Sequence, residues 1–432
     1  MSESGLPPAA LAAARVLLEA SSGDDRTLPQ RAAEQAAGPE TLHAAALLLI
    51  GEGRVESGRA LLELALESEG GRAEWHNDLG NTLFAVGDAA AAAAAFSRAA
   101  ALEGGRALYW NNLGAACLGA GRPADAESAF RRAIELDPTA ADPLHNLAAL
   151  LDGQSRGEEA AEYHCRAFVL GPEEGKSPAM LGLAYYRLGR IAEAAAVYRR
   201  WLDAEPGQPV ARHLLAACGG AATPERASDG YVATMFDAYA ERFDQQLVGA
   251  LGYRGPAMIE EALRGAVPAQ GTLEVLDAGC GTGLVGERLR PWARHLTGID
   301  LSAGMLAAAA RRGLYDRLVQ AELGAWLGAA GSAFDLIAIG DALIYFGPLA
   351  ALFDAARAAL RPGGCLVFTV ETEAPADPGY RLNPSGRYSH APEYVRLALA
   401  GAGFDVCLTR TAAIRREFGS DVAAAVVLAR RR

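Results

Sequence analysis

Apolar and small residues in the first 220 positions recur on a 34-residue step. Leu79, Leu113, Leu147, Leu181 and Leu215 keep it, as do Ala65, Ala99, Ala133 and Ala167, and the column Phe96, Phe130, His164 and Tyr198. Gly53, Gly87 and Gly121 share the spacing, with Gly189 two periods on, and Pro138, Pro172 and Pro206 close successive units. Such a period marks a repeated supersecondary unit that cannot bury its apolar face alone and stacks on its neighbours. Within a unit, Trp110-Asn111-Asn112-Leu113-Gly114 opens one helix. Ala126, Phe130 and Ala133 lie on the next, which ends at Asp137-Pro138. The pattern predicts five helix pairs, at 39–72, 73–106, 107–140, 141–174 and 175–208, and a closing helix near 209–218. The fourth unit departs from it, with His164 in the aromatic position and Ser155 at the turn glycine.

Beyond Cys218-Gly219-Gly220-Ala221-Ala222-Thr223-Pro224 the period disappears, as expected of a linker. Tyr231, Met235, Tyr239 and Phe243 then share a helix face. Short apolar runs follow at 273–278, 295–299, 317–321, 334–341 and 365–370, separated by helix-length segments. Near-continuous apolar strands of this kind suit a sheet covered on both faces. Two more runs, 404–409 and 422–428, predict an antiparallel pair at one edge. The first strand ends in a glycine-dense turn, where Gly279, Gly281 and Gly283 let the backbone bend and approach a ligand. The second ends in Asp300, an acid placed to take ribose hydroxyls, and Ser302 caps the helix from Ala303 to Arg312.

Asp277-Ala278-Gly279-Cys280-Gly281-Thr282-Gly283 is similar to the first motif of class I S-adenosylmethionine-dependent methyltransferases. Gly298-Ile299-Asp300-Leu301-Ser302, with Met305, looks like their second. Phe236-Asp237-Ala238-Tyr239-Ala240-Glu241-Arg242-Phe243-Asp244 resembles the segment that covers the cofactor in such enzymes, and the 34-residue units resemble tetratricopeptide repeats. Together these features resemble the bacterial family of tetratricopeptide-repeat-containing class I methyltransferases. The resemblance implies two domains, an all-α repeat superhelix and an α/β Rossmann-like domain with a seven-stranded mixed sheet. The expected division is a helical cap at 1–38, repeats at 39–219, a linker and lid helix at 220–250, and the methyltransferase domain at 251–432. It also implies S-adenosylmethionine as cofactor, with S-adenosylhomocysteine as product. Its expected ligands are Asp277, Gly279, Cys280, Gly281, Gly283, Asp300, Leu301, Met305, Glu322, Leu323 and Asp341, with Tyr231, Tyr239 and Phe243 from the lid. Glu322 matches the acid that takes the adenine amino group.

Charge narrows the partners. The net charge is −12; residues 1–223 hold 19 basic and 29 acidic residues, or −10, and residues 224–432 hold 21 and 23, or −2. An acidic front half speaks against nucleic acid and suits a basic or neutral ligand. The six cysteines are scattered without a C-x-x-C pair, so neither a metal site nor a disulfide framework is expected, and a reducing cytoplasm fits. No apolar run is long enough to cross a membrane, and no signal peptide is expected.

The face formed by the first helices of the repeats carries Glu74, Asn77, Asp78, Asn81, Asn111, Asn112, His145, Asn146, Lys176 and Tyr186. Asparagine amides both donate and accept, so they suit an extended backbone. The 34-residue step from Asn112 to Asn146 looks like the asparagine ladder of O-GlcNAc transferase. A peptide or protein ligand is expected there, with a solvated groove or a homodimer surface left open. For the chemistry, Gly340-Asp341-Ala342-Leu343 stands where the N-methylating branch of the family often has N/D-P-P-Y, which favours O-, S- or C-methylation. His390 is a candidate base or donor, and Tyr388, Tyr345 and Asp341 are candidates for the acceptor pocket. The expectation is a methyltransferase acting on a peptide, protein or carrier-bound substrate held by the repeats. Two alternatives stay open: a small-molecule methyltransferase whose repeats assemble subunits, and a non-catalytic scaffold that keeps the fold.

Overall fold

The computed structural model describes residues 7–19, 28, 30, 32, 37–239, 244, 249, 251–373, 378–417 and 420–432. It packs as two units, Met1–Pro172 and Glu173–Arg432. In the first, helix Pro8–Glu19 precedes four antiparallel pairs: Pro39–Gly51 with Val55–Ser68, Ala73–Ala85 with Ala89–Leu102, Ala107–Gly119 with Pro123–Leu136, and Ala141–Gly153 with Gly157–Leu170.

One contact explains the repeat column. A Cβ on Gly80 would sit 2.6 Å from the Phe96 ring, and one on Gly114 2.5 Å from the Phe130 ring. The glycine lets the aromatic of the second helix lie flat against the first. Where the aromatic is missing the glycine is missing too: the first unit has Ala46 and Leu62, the fourth Ala148 and His164. His164 is exposed and pairs with Asp152 at 2.8 Å. The fourth unit keeps its turn, with Ser155 at φ +61 where other units have a left-handed glycine.

The second unit begins with the fifth pair, Pro178–Arg187 and Ile191–Ala204, and the closing helix Pro209–Ala217. The repeat pattern therefore runs one pair beyond the packing boundary. The reason is apolar contact: Ala216 and Ala217 pack with Leu382 and Tyr388, and Val210 and Leu214 pack with Tyr231, Met235 and Tyr345. Helix Asp229–Tyr239 follows at the expected lid.

Among the described residues the sheet has nine strands rather than seven. These are β1 (Leu273–Ala278), β2 (Ala293–Asp300), β3 (Arg317–Gln320), β4 (Phe334–Ile339), β5 (Leu360–Glu371), β6 (Tyr380–Leu382), β7 (Tyr388–His390), β8 (Phe404–Glu417) and β9 (Ser420–Arg431). Strands β3-β2-β1-β4-β5 are parallel neighbours, and β9 joins β5 antiparallel with β8 outside it. The two additional strands, β6 and β7, form a hairpin from the loop after β5. Alternation assigns the faces. Leu276, Ile337 and Phe368 pack with Phe353 and Leu399 on one side, whereas Val275, Leu336 and Val367 pack with Ile259 and Trp292 on the other. All six cysteines are free, and no helix among the described residues is long and apolar enough to cross a membrane.

Candidate functional site

The turn after β1 is closed by the end of β2. Gly279 and Cys280 donate to the Ile299 carbonyl at 2.8 and 2.9 Å, and Gly281 donates to Asp300 Oδ2 at 2.9 Å. Asp300 Oδ1 accepts from the Ser302 backbone at 2.9 Å, so one carboxylate ties the turn to the next helix start. Gly279, Gly281 and Gly283 have φ of +76, +53 and +94, a region closed to most side chains. Space lies open beyond Gly281, whereas a Cβ on Gly279 would meet Ala342 at 2.7 Å. Burial pushes the Asp300 carboxyl above its usual range.

A cavity of about 290 Å³ opens beside this turn. It brings together Gly279, Cys280, Gly281, Asp300, Leu301, Met305, Glu322, Leu323, Asp341 and Tyr345 from the sequence-derived set. The shape suits a nucleoside: an open glycine cradle and an acid at the end of β2, with apolar Met305 and Leu323 beyond. Glu322 lines the cavity while its two oxygens cap helix Leu323–Ala329, accepting from Gly324 and Ala325 at 3.0 and 2.7 Å.

Five expectations need correction. Gly283 does not line the cavity; a Cβ there would meet Arg312 and Tyr315, each at 3.1 Å. Asp277 does not line the cavity; it is buried beneath the turn, where Tyr315 donates to Oδ2 at 2.7 Å and Oδ1 has no hydrogen-bond partner among the described residues. Burial lifts its carboxyl to about 7. Tyr231 is buried against His213, ring centroids 4.0 Å apart, so its neighbours Val232 and Phe236 present the lid helix to the cavity instead. The side chain of Tyr239, and Phe243, lie outside the described residues. Tyr388 is fully buried and donates to the Pro224 carbonyl, which fastens the linker. His390 is fully buried too, bonded through Nε2 to the Gly347 carbonyl at 2.9 Å and lined up with Tyr394. Hairpin β6–β7 turns these last two residues away from the cavity.

Burial lowers the His390 pKa to about 4. A depressed base stabilises the fold above its unfolded pKa and loses that contribution as pH falls toward the folded one. Wild-type protein should therefore lose on the order of 3 kcal/mol between pH 7 and pH 4 through this group. Denaturant unfolding of His390→Gln across that range should show a shallower slope; equal slopes would refute the assignment.

Sequence reasoning missed a charged wall of the same cavity. Arg415, only 3% exposed, donates to Asp341 Oδ2 at 3.0 Å, to Glu417 Oε1 at 2.7 Å, and to Glu371. Arg387 donates to Glu371 at 3.0 Å and to Glu417. Burial pushes Glu371 up despite the two guanidiniums, whereas at Glu417 they outweigh burial and hold it down. Asp341 itself has φ +55, and a non-glycine residue held there is a strain that functional sites often contain. The available signal was a glutamate ending the apolar run of β5 and an arginine inside a strand.

Two aspartates ahead of β1 bond to the segments that follow β1 and β2. Asp237 accepts from Ser302 Oγ and from the Gly304 backbone, at the start of helix Ala303–Arg311. Asp244 accepts from Thr282 and Arg312. In the repeats, Asn112 donates to Asn77 and Asn146 to Asn111, each at 2.9 Å, so the asparagine column first stitches successive units together. Asn81 and His145 also lie in the first unit, whereas Lys176 and Tyr186 belong to the second. Burial raises the Tyr186 phenol pKa.

Family models match both halves of the chain. A family model described as a methyltransferase domain matches residues 275–364, and tetratricopeptide-repeat models match 43–105, 77–141 and 179–218. The chain is a tetratricopeptide-repeat protein with a class I, S-adenosylmethionine-dependent methyltransferase domain. That domain is 38% identical over 109 residues to malonyl-[acyl-carrier protein] O-methyltransferase of Enterobacter lignolyticus (strain SCF1), covering 25% of this chain and 43% of the relative. It is 38% identical over 124 residues to trans-aconitate 2-methyltransferase of Paracidovorax citrulli (strain AAC00-1), 28% of this chain and 45% of the relative. This chain thus spans less than half the length of these curated relatives. Among solved structures, an S-adenosylmethionine dependent methyltransferase from Mesorhizobium loti matches at 27% identity and TM-score 0.33, covering 41% of this chain and all of that one.

Proposed function

We propose that this chain transfers the methyl group of S-adenosylmethionine to an oxygen, sulfur or carbon acceptor on a peptide, protein or carrier-bound substrate received by the repeats. The observation that carries this reading is one cavity lined both by a glycine cradle with Asp300 and by Asp341, Tyr345 and Arg387. Asp300 would accept the ribose hydroxyls with its remaining lone pairs, Met305 and Leu323 would flank the adenine, and Glu322 would meet its amino group. The sulfonium supplies an activated methyl group when bound. The residues of this chain align the acceptor and exclude water, with Val232 and Phe236 closing the mouth.

Arg415 holds Asp341 through Oδ2, and Oδ1 has no protein partner among the described residues. It is therefore free to orient an acceptor hydroxyl or take its proton, a role needed only when that proton has a high pKa. One relative is named as an O-methyltransferase of malonyl-[acyl-carrier protein], which supports an oxygen acceptor on a carrier; another is named for methylating trans-aconitate. We place the protein in the cytoplasm on its scattered free thiols.

Calorimetric titration with S-adenosylmethionine tests the cofactor site. Asp300→Ala should bind about 10–100-fold more weakly, the loss of hydrogen bonds to a charged group. Unchanged affinity in the variant would remove Asp300 from the site. No binding to folded wild type would favour a scaffold that keeps the fold without the chemistry.

A further inference from the structure

The first unit holds 13 arginines and 24 acids, a net −11 of the −12 carried by the whole chain. Its charges are sorted by helix. The four first helices, Pro39–Gly51, Ala73–Ala85, Ala107–Gly119 and Ala141–Gly153, contain no lysine or arginine; the arginines of the repeats sit on second helices and turns. The first helices do carry acids, and Glu74 and Asp142 are exposed and form no ion pair among the described residues. The contacts Asn112–Asn77 and Asn146–Asn111 show that these helices stand side by side with their polar positions on one face.

The same helices expose large apolar side chains: Phe84 is 44% exposed, Leu108 51% and Leu118 42%. The Phe84 ring lies 3.3 Å from where a Gly119 Cβ would be, so it reaches the next first helix at the turn that carries Leu118. Exposed leucine and phenylalanine between unpaired carboxylates form a surface complementary to a chain that is both cationic and aliphatic.

We propose that the first-helix face of residues 39–153 binds an extended polypeptide segment rich in arginine or lysine and in aliphatic residues. The carboxylates select the positive charge, Phe84, Leu108 and Leu118 take the aliphatic side chains, and the spare donors and acceptors of the asparagines hold the peptide backbone. This deepens the receptor reading above, and rests on it for taking the bound segment to be the substrate.

The test uses the full chain and three short fluorescein-labelled peptides: one of Arg, Leu and Gly, one with Glu replacing every Arg, and one with Ser replacing every Leu. Anisotropy should show binding of the first only, weakening with salt, and at least about tenfold weaker in Glu74→Lys/Asp142→Lys. Leu108→Ser should weaken it without changing the salt dependence. Both variants should keep the helical circular dichroism and thermal unfolding of wild type, which confirms that the repeats are folded. Equal binding of the Arg and Glu peptides, no binding of any, or unchanged affinity in the charge-reversed variant would overturn the proposal. So would self-association that the charge reversal abolishes, which would make the occupant a second copy of this chain. With Ser, Cys and Glu added at one end of the first peptide to supply acceptor atoms, binding without methyl transfer to it would support this surface and overturn the receptor reading alone.

Discussion

Arg415→Met should destabilise the protein by about 3–5 kcal/mol in urea unfolding at pH 8, the loss expected when one partner of a buried ion network is removed. Arg415 is buried among Asp341, Glu371 and Glu417, and without it only Arg387 remains to balance three carboxylates. Methionine fills the stem volume, so packing contributes little to the loss. The pH dependence separates charge from packing. In the variant the carboxyls titrate at raised folded pKa values, so their penalty is absent below the unfolded values and grows as pH rises through the folded ones. The deficit should therefore shrink from pH 8 to pH 5. Glu371, already pushed up by burial, is the group to neutralise: Arg415→Met/Glu371→Gln should recover part of the loss. A double variant no more stable than Arg415→Met would show that the network does not work through charge.

Gly114→Ala should lower stability by about 1–3 kcal/mol, although alanine is the better helix former by roughly 1 kcal/mol. The steric term wins because the new Cβ would lie 2.5 Å from the Phe130 ring, which is fully buried and cannot swing out. Phe130→Leu alone should also destabilise, by leaving a void. Together the two changes reproduce the Ala46–Leu62 arrangement of the first unit. The double variant should be more stable than the sum of the singles by about 1 kcal/mol, a coupling expected only for residues in contact. Strict additivity in thermal unfolding would mean that the glycine is not there for the ring.

The helix pairs were legible because their cause is local and repeated. A 34-residue step in Leu, Ala, Gly and aromatic positions admits one packing solution, and the observed helices start and stop within the expected units. The glycine turn was legible for a similar reason, since positive φ at three alternate positions is met at least strain by the glycines seen there. His390 and Tyr388 misled because a polar loop next to the ligand edge of a sheet suggests exposure. Pairing of Tyr380–Leu382 with Tyr388–His390 buried them both.

From the sequence alone came the two architectures, the positions of the principal strands along the chain, and the residues of the glycine turn and the acid at the end of β2. All of these depend on neighbours close along the chain or on a period. Only the tertiary structure joined Asp341, Glu371, Arg387, Arg415 and Glu417, which lie on four segments spread over 77 residues. They meet because the antiparallel return of β9 carries the far end of β8 to the carboxyl edge of β5. Tertiary packing likewise decided that the fifth helix pair and the closing helix pack with the methyltransferase domain. Their apolar partners, Leu382 and Tyr388, lie some 170 residues away in a hairpin whose pairing no local pattern reveals.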